Sequence, residues 1–187
     1  MKNKVGSRRW TLLLVQRALI TAIYLALTLL FAPIAYGSVQ FRVSEALMIL
    51  PALSSAGVWG VTLGCFLANV LNPGNLGPID IIFGTVATFL AAVVTRYIAV
   101  KTVPPMAELD LKRPKAYLLM LPTILFNALI VGFYLPYLLL EQQTFAIVGL
   151  SMLSVGLGEL GVMLILGLPL LMALNKIQKK RGPIFYD

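Results

Sequence analysis

The sequence predicts an all-α integral membrane protein with six transmembrane helices forming a single membrane domain. Three observations predict it. Of the 187 residues 59% are hydrophobic and only 12% charged, roughly half the charged share of a soluble domain. Too few polar side chains are present to cover a water-facing surface. The apolar residues fall in long runs, of the roughly 20 residues that a bilayer crossing requires, divided by turn-rich breaks. The basic residues gather in three places: Lys2, Lys4, Arg8 and Arg9; Lys101, Lys112, Arg113 and Lys115; and Lys176, Lys179, Lys180 and Arg181. Each group flanks an apolar run. That is the positive-inside pattern of a protein in a lipid bilayer, and it argues against a nucleic-acid footprint as the meaning of the net charge of +8.

The first span covers residues 10–36. It is too long for a cleavable signal peptide and lacks a convincing cleavage site. A second, short segment, 43–54, is broken by Pro51 and meets the third span, 57–71, at Ser54-Ser55-Ala56-Gly57. The third ends in Asn72-Pro73-Gly74-Asn75-Leu76-Gly77-Pro78, a string of helix breakers. The fourth covers 79–100 and leads into the basic loop with Pro104, Pro105 and Pro114. The fifth, 116–140, carries Pro122 and Pro136, and after Glu141-Gln142-Gln143 the sixth runs over 144–174. Six crossings put both termini and the 101–115 loop in the cytoplasm. The outer loops, 36–42, 72–78 and 141–143, then hold Arg42 as their one basic residue. Five crossings would place the C-terminal basic cluster outside, which the positive-inside rule disfavours.

The chemical inventory excludes several classes. Histidine is absent and Cys65 is the single cysteine, so His-based triads, imidazole metal sites and an intramolecular disulfide are all out of reach. No G-x-x-x-x-G-K-[ST] phosphate loop is present. The reading is therefore of a non-enzyme with no cofactor of its own.

In lipid, helices associate by close packing, so small residues at four-residue spacing mark contact faces. Ala18, Ala22 and Ala26 form one such stripe on the first span, and Ala56, Gly60, Gly64 and Ala68 another on the third. Either serves equally well for packing inside the bundle or for contact with a partner.

A carboxylate near mid-membrane costs about 2.5–3.5 kcal/mol on insertion scales, so Glu45, Asp80 and Glu159 need an explanation. Glu45 follows Arg42 by three residues, close enough for a local ion pair. Asp80 opens the fourth span and could cap it by accepting from free N–H groups. Glu159 sits among Gly156, Gly158 and Gly161 with no basic residue nearby in sequence; an internal hydrogen bond or a proton would be its purely structural fate. Asn69 lies near the outer end of the third span. Asn127, Val131 and Tyr134 share a face of the fifth at i, i+4 and i+7. Interhelical hydrogen bonding is the simplest use of such amides. Together, acids, amides and one arginine in the outer half of several spans are what a site for a small polar molecule requires.

The strings Val39-Gln40-Phe41-Arg42-Val43-Ser44-Glu45-Ala46-Leu47, Gly64-Cys65-Phe66-Leu67-Ala68-Asn69, Asp80-Ile81-Ile82-Phe83-Gly84, Asn127-Ala128-Leu129-Ile130-Val131-Gly132 and Gly158-Glu159 resemble the QueT family. These are substrate-binding S components of energy-coupling-factor (ECF) transporters assigned to queuosine precursors. The resemblance implies a six-helix S component that captures its ligand from outside, in a pocket closed partly by the loop after the first helix. It implies docking on a membrane scaffold subunit that carries two ATPase subunits, with Ala18, Ala22 and Ala26 as the scaffold-contacting face. The implied ligand is a 7-deazaguanine: the 7-aminomethyl form, its cyano analogue, or queuine. Glu45, Asp80 and Glu159 would then supply carboxylates to ring N–H groups and an ammonium arm. Asn69 and Asn127 would supply amides, Tyr134 would complete the wall, and Arg42 would order the lid or pair one acid.

Three other readings compete. A proton-coupled secondary carrier would use the same acids as a relay, but no inverted repeat is found in the sequence. A membrane enzyme lacks a catalytic inventory. A purely structural subunit would hold its helices together with three costly carboxylates.

Overall fold

The structure, a computed structural model, describes residues 2–35, 41–72, 74, 76–102, 115–140 and 144–181. The loop after the first helix (36–40), the 103–114 stretch with Glu108 and Asp110, and Glu141 lie outside the described residues. Among the described residues every regular element is helical.

The first span divides into α1 (Lys2–Leu30) and the short α2 (Ala32–Ala35). Pro33 explains the division: it cannot donate to the carbonyl of Leu29, and its ring crowds that turn. The buried face of α1 is Ile20, Tyr24 and Thr28, while Trp10, Leu14, Val15, Leu19, Ile23 and Leu30 are exposed. Large apolar side chains pointing outward over a whole helix face suit contact with lipid.

The segment expected as the second crossing is a ten-residue 3-10 helix, Val43–Ala52, in which every residue from Ser44 to Ala52 is buried. At a rise of about 2.0 Å per residue it spans about 20 Å, short of the roughly 30 Å hydrocarbon layer. Apolarity all round is the mark of a segment enclosed by protein, and a short apolar run is as often an internal rod as a span. The helices α1, α3 (Ser55–Leu71), α4 (Pro78–Thr102) and α9 (Leu168–Arg181) pack around it. Met48 and Ile49, fully enclosed, form the middle of the larger apolar core with Val61, Leu119, Met163 and Leu171.

α3 starts two residues earlier than its apolar run predicts, because Ser54 caps it: its Oγ accepts from Gly57 N at 3.2 Å. α3 has 17 residues, about 25 Å. α4 opens with Pro78, a residue whose missing N–H costs nothing at the first helical position. The fifth span is interrupted: α5 (Lys115–Leu118) stops before α6 (Leu121–Phe126), where Pro122 cannot donate to Leu118. A π turn over Asn127–Val131 then leads into α7 (Gly132–Leu139). The sixth is capped by Thr144, whose Oγ1 accepts from Ile147 N at 3.3 Å. It runs through α8 (Phe145–Val162), a second π turn over Met163–Gly167 and α9.

Among the described residues four stretches are long and apolar enough to cross a membrane: Arg9–Leu30, Pro78–Lys101, Leu121–Leu139 and Phe145–Lys180. The remaining two of the expected six, Val43–Ala52 and Ser55–Leu71, are the shorter ones.

The glycine stripe of α3 has a structural use. A Cβ at Gly60 would lie 2.6 Å from Ile20 Cβ, and one at Gly64 would lie 2.6 Å from Tyr24 Cβ. Both glycines let α1 and α3 meet backbone to backbone, as small-residue faces do in lipid. The alanine stripe behaves differently: Ala18, Ala22 and Ala26 are exposed. Beside Trp59, Leu63 and Leu67 of α3, Ala18 and Ala22 floor an apolar groove of about 530 Å³.

Candidate binding site

Arg42 and Glu45 enter the bundle together at the start of the 3-10 rod. Glu45 N donates to Arg42 O at 2.9 Å, closing a three-residue turn in which side chains at i and i+3 lie one above the other. Arg42 Nη2 stands 4.0 Å from Asp80 Oδ1. Glu45 Oε1 accepts from the hydroxyl of Tyr24, and its Oε2 from Asn127 Nδ2 at 3.5 Å.

Asp80 is fully buried in the first turn of α4. Its Oδ1 accepts from Tyr134 Oη at 2.6 Å, so its carboxylate faces inward to other helices instead of serving only its own helix end. Asn127 and Tyr134 do share a buried face, as their spacing predicts, but they serve different acids. The π turn that starts at Asn127 helps set that register, since wider turns of this kind re-aim side chains where function requires it.

Asn69 completes this side of the cluster. Its Nδ2 lies 3.7 Å from Cys65 Sγ, which also accepts from Thr88 Oγ1 at 3.2 Å. The thiol, one turn before Asn69 on α3, therefore helps hold the amide. Gly84 makes room for the convergence. A Cβ there would stand 3.0 Å from Asn69 Nδ2, 3.4 Å from Tyr134 Oη and 3.8 Å from Asp80 Oδ1.

Glu159, on α8, is 2% exposed. Glu45 and Arg42 are its charged neighbours, and its Oε2 has no hydrogen-bond partner among the described residues. Asp80 Oδ2 is in the same position. Among the described residues the buried charged side chains are Arg42, Glu45, Asp80 and Glu159, three carboxyls against one guanidinium. Buried carboxyls that outnumber the cations beside them stay ionised only with a further partner, and otherwise hold protons. No group of three metal-ligating side chains is found among the described residues.

Arg42, Glu45, Asn69, Asp80, Asn127, Tyr134 and Glu159 are thus all buried, linked to one another directly or through a shared neighbour. The sequence reading missed Tyr24. It also missed Thr28, which donates to Ser44 Oγ at 2.7 Å beside Glu45, and Gly84. Phe41 was passed over as well; its ring Cε2 would lie 3.6 Å from a Cβ at Gly161, just past Glu159. One signal pointed to the first two: Ile20, Tyr24 and Thr28 recur at four-residue spacing, so two polar tips share one helix face.

The chain matches the QueT transporter family over residues 14–176. It is also similar to a protein named Queuosine precursor transporter QueT from Lactococcus lactis subsp. cremoris (strain MG1363), at 33% identity over 75 residues. That similarity covers 39% of this chain and 43% of the relative, so the matched stretch spans less than half of the relative's length. No solved structure matches the chain. The family match runs through every element that contributes a side chain to the buried cluster, and the chain belongs to the QueT transporter family.

Proposed function

We propose that this protein is the substrate-binding S component of an ECF-type importer, capturing a queuosine precursor from outside the cell for ATP-driven uptake. The observation that carries the reading is the buried cluster itself. Side chains distant in sequence bring carboxylate, amide, phenol and guanidinium groups together inside an apolar bundle, within the stretch that matches the family. The relative's name assigns a queuosine precursor to that relative, and a 7-deazaguanine such as 7-aminomethyl-7-deazaguanine, or queuine, suits these groups. Its ring offers N–H donors to carboxylates, a carbonyl to amides, and a flat face to Phe41 or Tyr134.

In this reading the bundle crosses the membrane six times as one domain, with both termini in the cytoplasm. Val43–Ala52 and Ser55–Leu71 are the two shorter crossings. The first needs no match to the hydrocarbon thickness because its neighbours screen it from lipid. The exposed Ala18, Ala22 and Ala26 face contacts the scaffold subunit, and two ATPase subunits supply the energy that a chain without a phosphate loop cannot supply.

Two measurements test this. The purified chain, titrated with 7-aminomethyl-7-deazaguanine, should bind it without any partner subunit. Cells co-expressing the chain with a scaffold and two ATPases should take the base up, and a Walker-A lysine substitution in the ATPases should abolish uptake. Uptake that survives that substitution but collapses with the proton gradient would instead establish a proton-coupled carrier.

A further inference from the structure

The three buried acids are not equivalent, and their contacts sort them. Glu45 has donors on both oxygens, Tyr24 on one and Asn127 on the other. Asp80 has Tyr134 on Oδ1 and the Arg42 guanidinium 4.0 Å away, so its charge is offset within the protein. Glu159 has neither. It is 2% exposed, its Oε2 lacks any hydrogen-bond partner among the described residues, and its charged neighbours are another acid and the arginine already placed beside Asp80. In a low-dielectric interior such a carboxyl is held as the neutral acid unless a counter-charge or a donor reaches it, and a cationic group of a ligand would be that counter-charge.

We infer that Glu159 is the anion that receives a positively charged group of the ligand, a primary ammonium, and that Glu45 is a positioning residue held by Tyr24 and Asn127. This rests on the reading of the chain as a deazapurine-binding component and names which acid reads which part of the base. The cluster carries three carboxyls and one guanidinium, so a cationic ligand balances it better than a neutral one of the same shape. The asymmetry also divides the labour. Glu45, with a donor on each oxygen, shapes the wall. Asp80 keeps Oδ2 unpartnered among the described residues but has Tyr134 and Arg42 beside Oδ1. Glu159, with no such contact, selects for charge.

Two bases of one ring system separate these roles: 7-aminomethyl-7-deazaguanine, with an ammonium arm, and 7-cyano-7-deazaguanine, with a neutral one. Calorimetric titration of the purified wild-type chain should favour the aminomethyl base by about 10- to 100-fold, the range that a charge-assisted hydrogen bond supplies. Glu159→Gln, of nearly identical shape, should lower affinity for the aminomethyl base to that for the cyano base. Glu45→Gln should weaken both by a similar factor and leave their ratio unchanged. If Glu159→Gln does not fold, Glu159→Asp, which withdraws the carboxylate by one methylene, should narrow the preference. A wild-type chain that binds both bases equally well overturns the inference while leaving the substrate reading intact. So does a Glu159 variant with an unaltered ratio, or a Glu45→Gln chain that alone loses the preference. Binding of neither base defeats the substrate reading, and this inference with it.

Discussion

Tyr24 donates its hydroxyl hydrogen to Glu45 Oε1, joining the first helix to the internal 3-10 rod inside the polar cluster. The same helix turns Ala18, Ala22 and Ala26 outward. One helix thus carries both a residue that touches the cluster and the face proposed to meet the scaffold. The closeness of α1 and α3 at Gly60 and Gly64 keeps the tyrosine at that depth.

Tyr24→Phe should expose the worth of this contact. The substitution keeps the ring and removes the donor, leaving a buried carboxylate oxygen short of a partner. That typically costs about 1–3 kcal/mol. A lowered thermal midpoint of the purified chain is expected, together with a fall in deazapurine affinity of about tenfold. An unchanged midpoint and affinity would mean that the hydroxyl has an equivalent partner elsewhere.

Asp80 predicts an order of severity. Tyr134→Phe removes the 2.6 Å hydrogen bond to Oδ1 but leaves the carboxylate beside Arg42, so a loss of about 1–3 kcal/mol is expected. Asp80→Asn instead takes the negative charge from beside a buried guanidinium, and breaking a buried pair from one side costs about 3–5 kcal/mol. Thermal unfolding in detergent should therefore rank Asp80→Asn well below Tyr134→Phe. The reverse order would show that the 4.0 Å approach of Arg42 contributes little.

Much of this arrangement was legible in the sequence because lipid and burial impose strong rules. Proline and glycine strings marked the breaks, and the cost of intramembrane carboxylates singled out Glu45, Asp80 and Glu159. Partner choice was not legible. Arg42 has a carboxylate three residues away, yet it also stands 4.0 Å from Asp80, because the approach of α4 brings that acid to the guanidinium. Tyr24 was hidden for a similar reason. A tyrosine in an apolar run reads as core or interface, and only tertiary packing brings it to Glu45. The 43–52 segment shows the limit of composition: an apolar run does not say whether its side chains face lipid or are enclosed by other helices, as Ser44 to Ala52 are.

Gly84 offers a test of the cluster that leaves every polar group in place. An added methyl at Gly84→Ala would sit 3.0 Å from Asn69 Nδ2 and 3.4 Å from Tyr134 Oη, so the amide must shift by a few tenths of an ångström. Overpacking of this kind costs about 1–3 kcal/mol. Deazapurine affinity should fall by about tenfold while the chain still elutes as a folded species. Pairing the change with Asn69→Ala should give a loss smaller than the sum of the two single losses, since both act on one contact. Additive losses would place Gly84 and Asn69 in separate roles.

The two faces of α1 predict opposite phenotypes from the same kind of substitution. At Gly64→Leu even the first side-chain atom would stand 2.6 Å from Tyr24 Cβ. α1 must then move off α3, carrying Tyr24 away from Glu45. Both the thermal midpoint and ligand affinity should drop, at a cost of at least about 1–3 kcal/mol. Ala22→Leu puts the same final side chain at an exposed position, where nothing inside the bundle has to give. The purified variant should bind the deazapurine as the wild type does and melt at the same temperature, yet fail to co-purify with the scaffold subunit and to support uptake. Gly64→Leu failing at the binding step and Ala22→Leu failing only at assembly would separate the internal face of α1 from its docking face. An Ala22→Leu chain that assembles and transports normally would remove the alanine stripe from the proposed contact.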